Sequence, residues 1–159
     1  MKKSKKIILS IISLLIIVLI AFTYKTYRSK TFNGGNLGNL INATKRDEIN
    51  IDASEKCLLL SVNIELVSGE LEENDKGISA TTLDELKKLD NFKESDNSGS
   101  IEVNILDDNN NVIDTFSIES GQDKTHYKLL KSGHKYKVKI KSEKFNGWYE
   151  SKYFQYEVL

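Results

Sequence analysis

The 159-residue chain has no proline, a single cysteine, a single methionine, a single tryptophan, and no acidic residue before Asp47. One cysteine, Cys57, excludes an internal disulfide, which for a small external domain suits a Gram-positive surface better than a disulfide-using compartment. Without proline there is no sortase signal, and the accompanying Lys, Ile and Asn bias fits an AT-rich bacterial genome. An acid-free start excludes a pilin-type anchor, which needs a glutamate just behind a Gly-Phe-Thr-Leu-like opening. Gly-rich phosphate loops and a His-Glu-x-x-His zinc motif are missing as well.

What is present first is grease. Lys2, Lys3, Lys5 and Lys6 precede sixteen residues, Ile7 to Phe22, whose polar members are Ser10 and Ser13. As a helix this run spans roughly 24 Å, a little short of the ~30 Å hydrocarbon layer, and Thr23 and Tyr24 extend it. It exceeds the usual signal-peptide core, and LIAFTYK offers only Ala21 where cleavage wants small residues at two positions. A lipoprotein signal fails too, because Cys57 is far downstream. The run predicts an uncleaved transmembrane signal anchor over 7–24, with secretion after cleavage as the alternative. Residues 1–6 are then a cytoplasmic tail, and the rest lies outside the cell membrane.

Charge is segregated along the chain. Residues 1–30 hold seven basic residues and no acid, 31–123 hold 7 basic and 20 acidic, and 124–159 hold 9 and 3. So acidic a first half argues against nucleic acid as a partner. Three glycines and four asparagines in 33–42 predict a flexible stalk over 25–46, leaving an extracytoplasmic domain over 47–159.

Within that domain the period is two. Leu58, Leu60, Val62, Ile64 and Leu66 share one strand face, as do Ile101, Val103 and Ile105 in GSIEVNIL. DDNNN at 107–111 reads as a turn before the return strand NVIDTFSI, and THYKLL pairs across Ser132–Gly133 with HKYKVKIK. Asn146–Gly147 has the signature of a type I′ hairpin turn before WYESKYFQYEVL. One segment differs: TTLDELKKLDNF carries a Thr82/Glu85 capping box ahead of Leu83, Leu86 and Leu89, which predicts a helix of two to three turns. Six or seven short strands with one inserted helix predict a mainly β fold, an antiparallel β-sandwich.

Four constellations carry candidate chemistry. Lys135, Lys137, Lys139 and Lys141 line one strand face about 6.6 Å apart, a spacing that matches a polyanion such as a wall polymer. The plainer reading is a solvated face guarded by lysines, with neighbouring carboxylates neutralising them. Trp148, Tyr149 and Tyr153 offer a stacking surface for sugar rings; otherwise Trp148, Phe154 and Tyr156 are core, and the two tyrosines pack on a loop or the helix. The DDNNN oxygens lack any Ca²⁺ loop spacing, so turn chemistry is favoured. Cys57, His126 and His134 carry no nucleophile elbow and scarcely enough ligands for zinc. No catalytic residue, metal or cofactor is therefore expected, and the chain does not read as an enzyme.

GSIEVNILDDNNNVIDTFSIESG, followed by LKSGHKYKVKIKSEKFNGWYESKY, resembles a form recurring in small Gram-positive surface and secreted proteins. There a strand ends in an Asp/Asn turn, and a Leu-x-x-Gly-x-Tyr-x-Val hairpin leads to x-x-Gly-x-Tyr. The resemblance covers residues 99–153, rests on Gly133, Tyr136, Val138 and Gly147, and has no counterpart for the insertion at 80–92. It implies a jelly-roll-like, non-catalytic β-sandwich and carries over no catalytic residue. The expectation is a single-pass membrane protein with a surface-exposed binding module for a cell-wall polymer or a protein partner. The rival expectation is an accessory or sensor subunit of a membrane complex.

Overall fold

The computed structural model describes residues 2–28, 30–41, 43–51, 58–72, 79–96, 99–142 and 144–157, with backbone alone at 2–5 and 26–28. Cys57 lies outside the described residues. In chain order the elements are α1 (Lys2–Arg28), β1 (Lys30–Ile41), β2 (Thr44–Asn50), β3 (Leu58–Leu71), α2 (Leu83–Leu86), β4 (Phe92–Glu94), β5 (Ser100–Leu106), β6 (Val112–Glu119), β7 (Asp123–Leu130), β8 (Lys135–Ser142) and β9 (Asn146–Glu157).

Two antiparallel sheets face each other. In the first, β9 lies between β1 and β3, while β7 and then β4 share the far side of β3, against Leu58–Glu65 and Gly69–Leu71 respectively. The second runs β2-β8-β5-β6. The alternation read from the sequence builds the space between them. Leu58, Leu60, Val62, Ile64 and Leu66 of β3 are at most 3% exposed, and they meet Ile101, Val103, Ile105, Phe116, Ile118, Tyr136, Val138 and Ile140 from the second sheet. Each such side chain contributes roughly 1.5–3 kcal/mol by leaving water. The fold is mainly β, as expected.

Helix α1 stands apart from this core. The large apolar side chains from Ile7 to Phe22 are 47–68% exposed, and Lys6–Lys25 is long and apolar enough to cross a membrane. Ser13 and Thr23 donate their hydroxyls back to the Leu9 and Ile20 carbonyls, both at 2.9 Å. These two hydroxyls thus need no outside partner, which suits an apolar surrounding.

The segment expected as a stalk is largely a strand. From Lys30 to Ile41, β1 pairs with β9, with a bulge between Phe32 and Gly34. Its small residues answer to neighbours instead of conferring freedom. A Cβ on Gly35 would strike the Ser151 carbonyl oxygen, and one on Gly38 would enter the Tyr149 ring. Composition had the appearance of a coil because the reason for Gly35 and Gly38 lies on another strand.

Asn146–Gly147 is likewise no turn; both residues open β9, and the described positive-φ glycines are Gly34, Gly121 and Gly133. Gly147 is needed for close approach, since a Cβ there would collide with the Val67 carbonyl oxygen and the Phe145 ring.

The inserted helix is shorter than its sequence promised. Thr82 caps α2 by accepting from the Glu85 N–H at 3.2 Å, and the Glu85 carboxylate accepts from the Thr81 N–H at 2.7 Å. After Lys87 the backbone bonds tighten to i−3 (Lys88 N–H to Glu85 O, Leu89 N–H to Leu86 O) and the turn hands over to β4. Leu83 and Leu86 lie on the outer face of the first sheet with Val67 and Trp148 in a second, smaller core.

A buried carboxylate from β9 fastens this latch. Glu150 accepts from the Leu83 N–H at 2.8 Å and is ion-paired with Lys152. Burial pushes its carboxyl up, but the Lys152 ammonium and the Leu83 N–H outweigh burial and hold it below its ordinary 4.5. The contribution is therefore complete above pH ~4.5 and fades as pH falls through the lower folded value. Trp148 reports on this latch as the sole tryptophan. On acidification its emission is expected to shift red before the far-ultraviolet circular dichroism of the sheets changes, and a Glu150→Ala variant should be red-shifted already at pH 7. Coincident emission and dichroism midpoints would refute the latch.

Candidate functional site

Strand β8 is central in its sheet, so its outward residues form the middle of a flat face. Lys135, Lys139 and Lys141 are exposed there and Lys137 is half-buried, while Tyr136, Val138 and Ile140 point inward. Across to β2, Lys137 opposes Glu48, Lys139 opposes Arg46 and Lys141 opposes Thr44. Across to β5, Lys141 opposes Glu102 and Lys139 opposes Asn104. The lysine row thus gains a fifth cation and is flanked by two carboxylates, one toward each neighbouring strand. Such cross-strand pairs contribute a few tenths to about 1 kcal/mol each and moderate the potential of the row without cancelling it.

The Asp107–Asn111 turn folds over one end of this face. Asn110, at φ 64°, accepts from Arg46 Nη2 at 2.7 Å and from Lys137 Nζ at 3.2 Å. Asp107 accepts from the N–H groups of Asn109 and Asn111 at 2.9 and 2.8 Å and from the Asn111 side chain at 3.0 Å. The Asn111 side-chain bond, foremost, holds the Asp107 carboxyl below its ordinary range. Its oxygens are engaged in making the turn, which accounts for the DDNNN composition.

The aromatic candidates do not form a platform. Trp148, Tyr149 and Tyr153 are 7%, 3% and 4% exposed, so none offers a ring face to a sugar. The expected division of β9 is also reversed. Tyr149 and Tyr153 enter the main core, Trp148 lies under α2, and Phe154 and Tyr156 are only half-buried. Around Trp148 to Glu150 both faces of β9 are covered, one by the second sheet and one by the inserted helix.

Sequence reasoning missed a polar seam inside the sandwich. Asp47 on β2 is 7% exposed and points inward between the sheets. It accepts from Asn36 Nδ2 of β1 at 2.8 Å, from Ser151 Oγ of β9 at 3.4 Å, and from the Tyr153 hydroxyl of β9. Burial, and secondarily Asp47, pushes the Tyr149 hydroxyl up to about 12, and the same two causes raise Tyr153 further. A signal was there to be read: Asp47, Ile49 and Ile51 alternate with period two, which places the acid on the apolar side.

The two histidines belong to separate pairs. His126 of β7 stacks on Phe116 with centroids 4.3 Å apart, and its Nε2 lies 3.1 Å from Asp114 Oδ2 of β6, where Lys128 Nζ joins at 3.3 Å. The His126 bond leads in holding the Asp114 carboxyl below its ordinary 3.8. These groups fasten the first sheet to the second along the β6–β7 edge. His134 pairs with Asp108 at 3.1 Å at the exposed turn. Among the described residues, no three His, Cys, Asp or Glu side chains converge as a metal site.

No family model matches the chain, and no curated protein matches it. Solved structures that superpose on it include a protein of Bacillus endospore appendages, described as a novel family of disulfide-linked pili (8% identity, 82% of this chain and 90% of that one, TM-score 0.40). Others are a carbohydrate-binding module from Cellvibrio mixtus lichenase 5A in complex with cellotriose (13% identity, 85% and 95%, TM-score 0.36) and BiXyn10A CBM1 (13%, 85% and 84%, TM-score 0.36). Every one of these scores is below 0.5, so the fold rests on the strand pairing above and not on these likenesses.

Proposed function

We propose that the chain is a non-enzymatic binding module held at the outer surface of a bacterial membrane by α1. The observation that carries this reading is the mismatch between its two parts. The sandwich buries most of its large apolar residues within itself, whereas the apolar side chains of α1 are left uncovered all the way from Ile7 to Phe22. So large an uncovered apolar surface needs an apolar medium, and a bilayer supplies it along the required length.

The binding face in this reading is the one built on β8. Lys135, Lys137, Lys139, Lys141 and Arg46 present ammonium and guanidinium groups on a flat, pre-formed surface, and a phosphate-bearing wall polymer has the matching charge. Reversing Lys137 and Lys139 to glutamate tests it. Retention of the full chain on purified anionic wall polymer is expected to fall at least tenfold, or about 1.4 kcal/mol. The remaining retention of the wild type should decline as salt rises from 50 to 500 mM, as screening shortens the reach of the charges. Salt-independent retention, unchanged by the double reversal, removes the polymer from the reading.

A further inference from the structure

The outer face of the first sheet changes character along its length. Only residue 29 separates α1 from β1, so the rows of that face can be counted from the end of the helix. In the first row Lys30 pairs with Tyr156, which pairs with Leu59, which pairs with Leu129. In the second row Phe32, Phe154, Ser61 and Tyr127 follow in the same order. The next two rows are polar but for Leu37, which packs toward the α2 core: Gly35, Lys152, Asn63 and Thr125, then Leu37, Glu150, Glu65 and Asp123. At the far end, apolar Val67 and Trp148 are covered by α2.

Among the described residues, the helix-proximal band has no such cover. Phe32, Tyr127 and Leu129 are 60%, 56% and 61% exposed, and Leu59, Phe154 and Tyr156 are half-buried. Phe32 and Phe154 lie 5.3 Å apart, and the Lys30 ammonium sits 3.9 Å over the Phe154 ring. Aromatic rings with cations beside them are the composition that settles at the headgroup level of a bilayer. Two rows span about 7 Å, close to the thickness of one headgroup layer.

We propose that Phe32, Phe154, Tyr156, Leu59, Tyr127 and Leu129 form a belt that inserts into the headgroup layer of the bilayer crossed by α1. The inference rests on the anchored reading above. The belt gives the domain a fixed posture, with the α1-proximal ends of its strands in the membrane surface and the α2 end directed away. The lysine face then stands at right angles to the bilayer, open to a polymer that rises from it.

Brominated lipid quenches tryptophan at the depth it reaches, which makes the posture measurable with the full chain in phosphatidylcholine/phosphatidylglycerol vesicles. Trp148 lies eight residues along β9 from Tyr156, roughly 26 Å away, and should give an unquenched baseline. Phe32→Trp and Tyr127→Trp change exposed positions, as does the control Ile41→Trp at the far end of β1, 52% exposed. Tryptophan at 32 or 127 is expected to lose roughly half its emission in brominated vesicles, and at 41 none, as a headgroup-level belt requires. If the chain does not float with the vesicles, the anchored reading fails and takes the belt with it. If it floats and neither 32 nor 127 is quenched, the belt alone is overturned; a blue shift without quenching then assigns the band to a second copy. Equal quenching at 32 and 41 overturns the upright posture, because the domain then lies flat.

Discussion

Replacing Asp47 by alanine is expected to lower the melting temperature of the sandwich by about 10–20 °C. The carboxylate accepts three hydrogen bonds in the interior, from Asn36, Ser151 and Tyr153, and ties β2 of one sheet to β1 and β9 of the other. Alanine removes the acceptor and leaves the Tyr153 hydroxyl buried without it, while the exposed Asn36 amide turns to water. The unsatisfied Tyr153 donor costs roughly 1–3 kcal/mol and the lost Asn36 and Ser151 bonds add to it, so a loss near 3 kcal/mol follows. A domain of this size shifts by about 4 °C or more per kcal/mol.

Companion variants separate the network from simple loss of volume. Asp47→Asn keeps the shape and one acceptor oxygen, and should recover about half of the loss. Tyr153→Phe removes one donor and should cost roughly 1.5–3 kcal/mol, the range for a bond to a charged group. In the double variant the two effects should fall short of their sum by more than about 1 kcal/mol, because both act on one bond. Thermal unfolding of the full chain in detergent, followed by far-ultraviolet circular dichroism, measures all of these. A drop below about 3 °C for Asp47→Ala shows the seam to be incidental.

The second large effect concerns α1. Arginine at Leu14 and at Ile16 together is expected to shift the chain from the membrane pellet to the soluble or degraded fraction. Thirteen Leu, Ile, Val and Phe side chains lie exposed between Ile7 and Phe22. On the insertion scale they supply about −4 to −8 kcal/mol together, while two central arginines oppose with roughly +5 to +7. The balance moves to near zero or beyond. Leu14→Ala with Ile16→Ala loses only a small part of the favourable sum and should stay in the membrane. Carbonate washing of the pellet provides the measure, and wild-type chain that washes off at alkaline pH contradicts a spanning helix.

How much of this was legible beforehand depends on where each residue's reason resides. The faces of β3, β5 and β8 were readable because strand parity is a local property: Leu58 to Leu66 and Tyr136 to Ile140 alternate whatever lies opposite. The Thr82 cap was readable for the same reason, since its acceptor and donor are three residues apart. Strand β1 was not. Gly35 and Gly38 look like a linker until Ser151 and Tyr149 are placed more than a hundred residues downstream and a few ångströms away. Tyr149 and Tyr153 could have faced solvent or core by parity alone, and only the second sheet and α2 decided that β9 is covered on both sides around Trp148 and Tyr149.

The lysine row shows the same division. Its four positions and their common face follow from the residues 135–141, but its neighbours do not. Glu48, Arg46 and Glu102 come beside it through pairing with β2 and β5, and Asn110 through the turn that folds over it. By itself the sequence determined the apolar N-terminal helix, the mainly β body and the solvent side of β8, because hydropathy and period two act within a few residues. Only the tertiary structure decided the Asp47 seam, the capture of Gly34–Gly38 into a strand and the exposed aromatic band beside α1. Each of those depends on distances between residues that the chain brings together through sheet register, and register is a property of two strands and never of one.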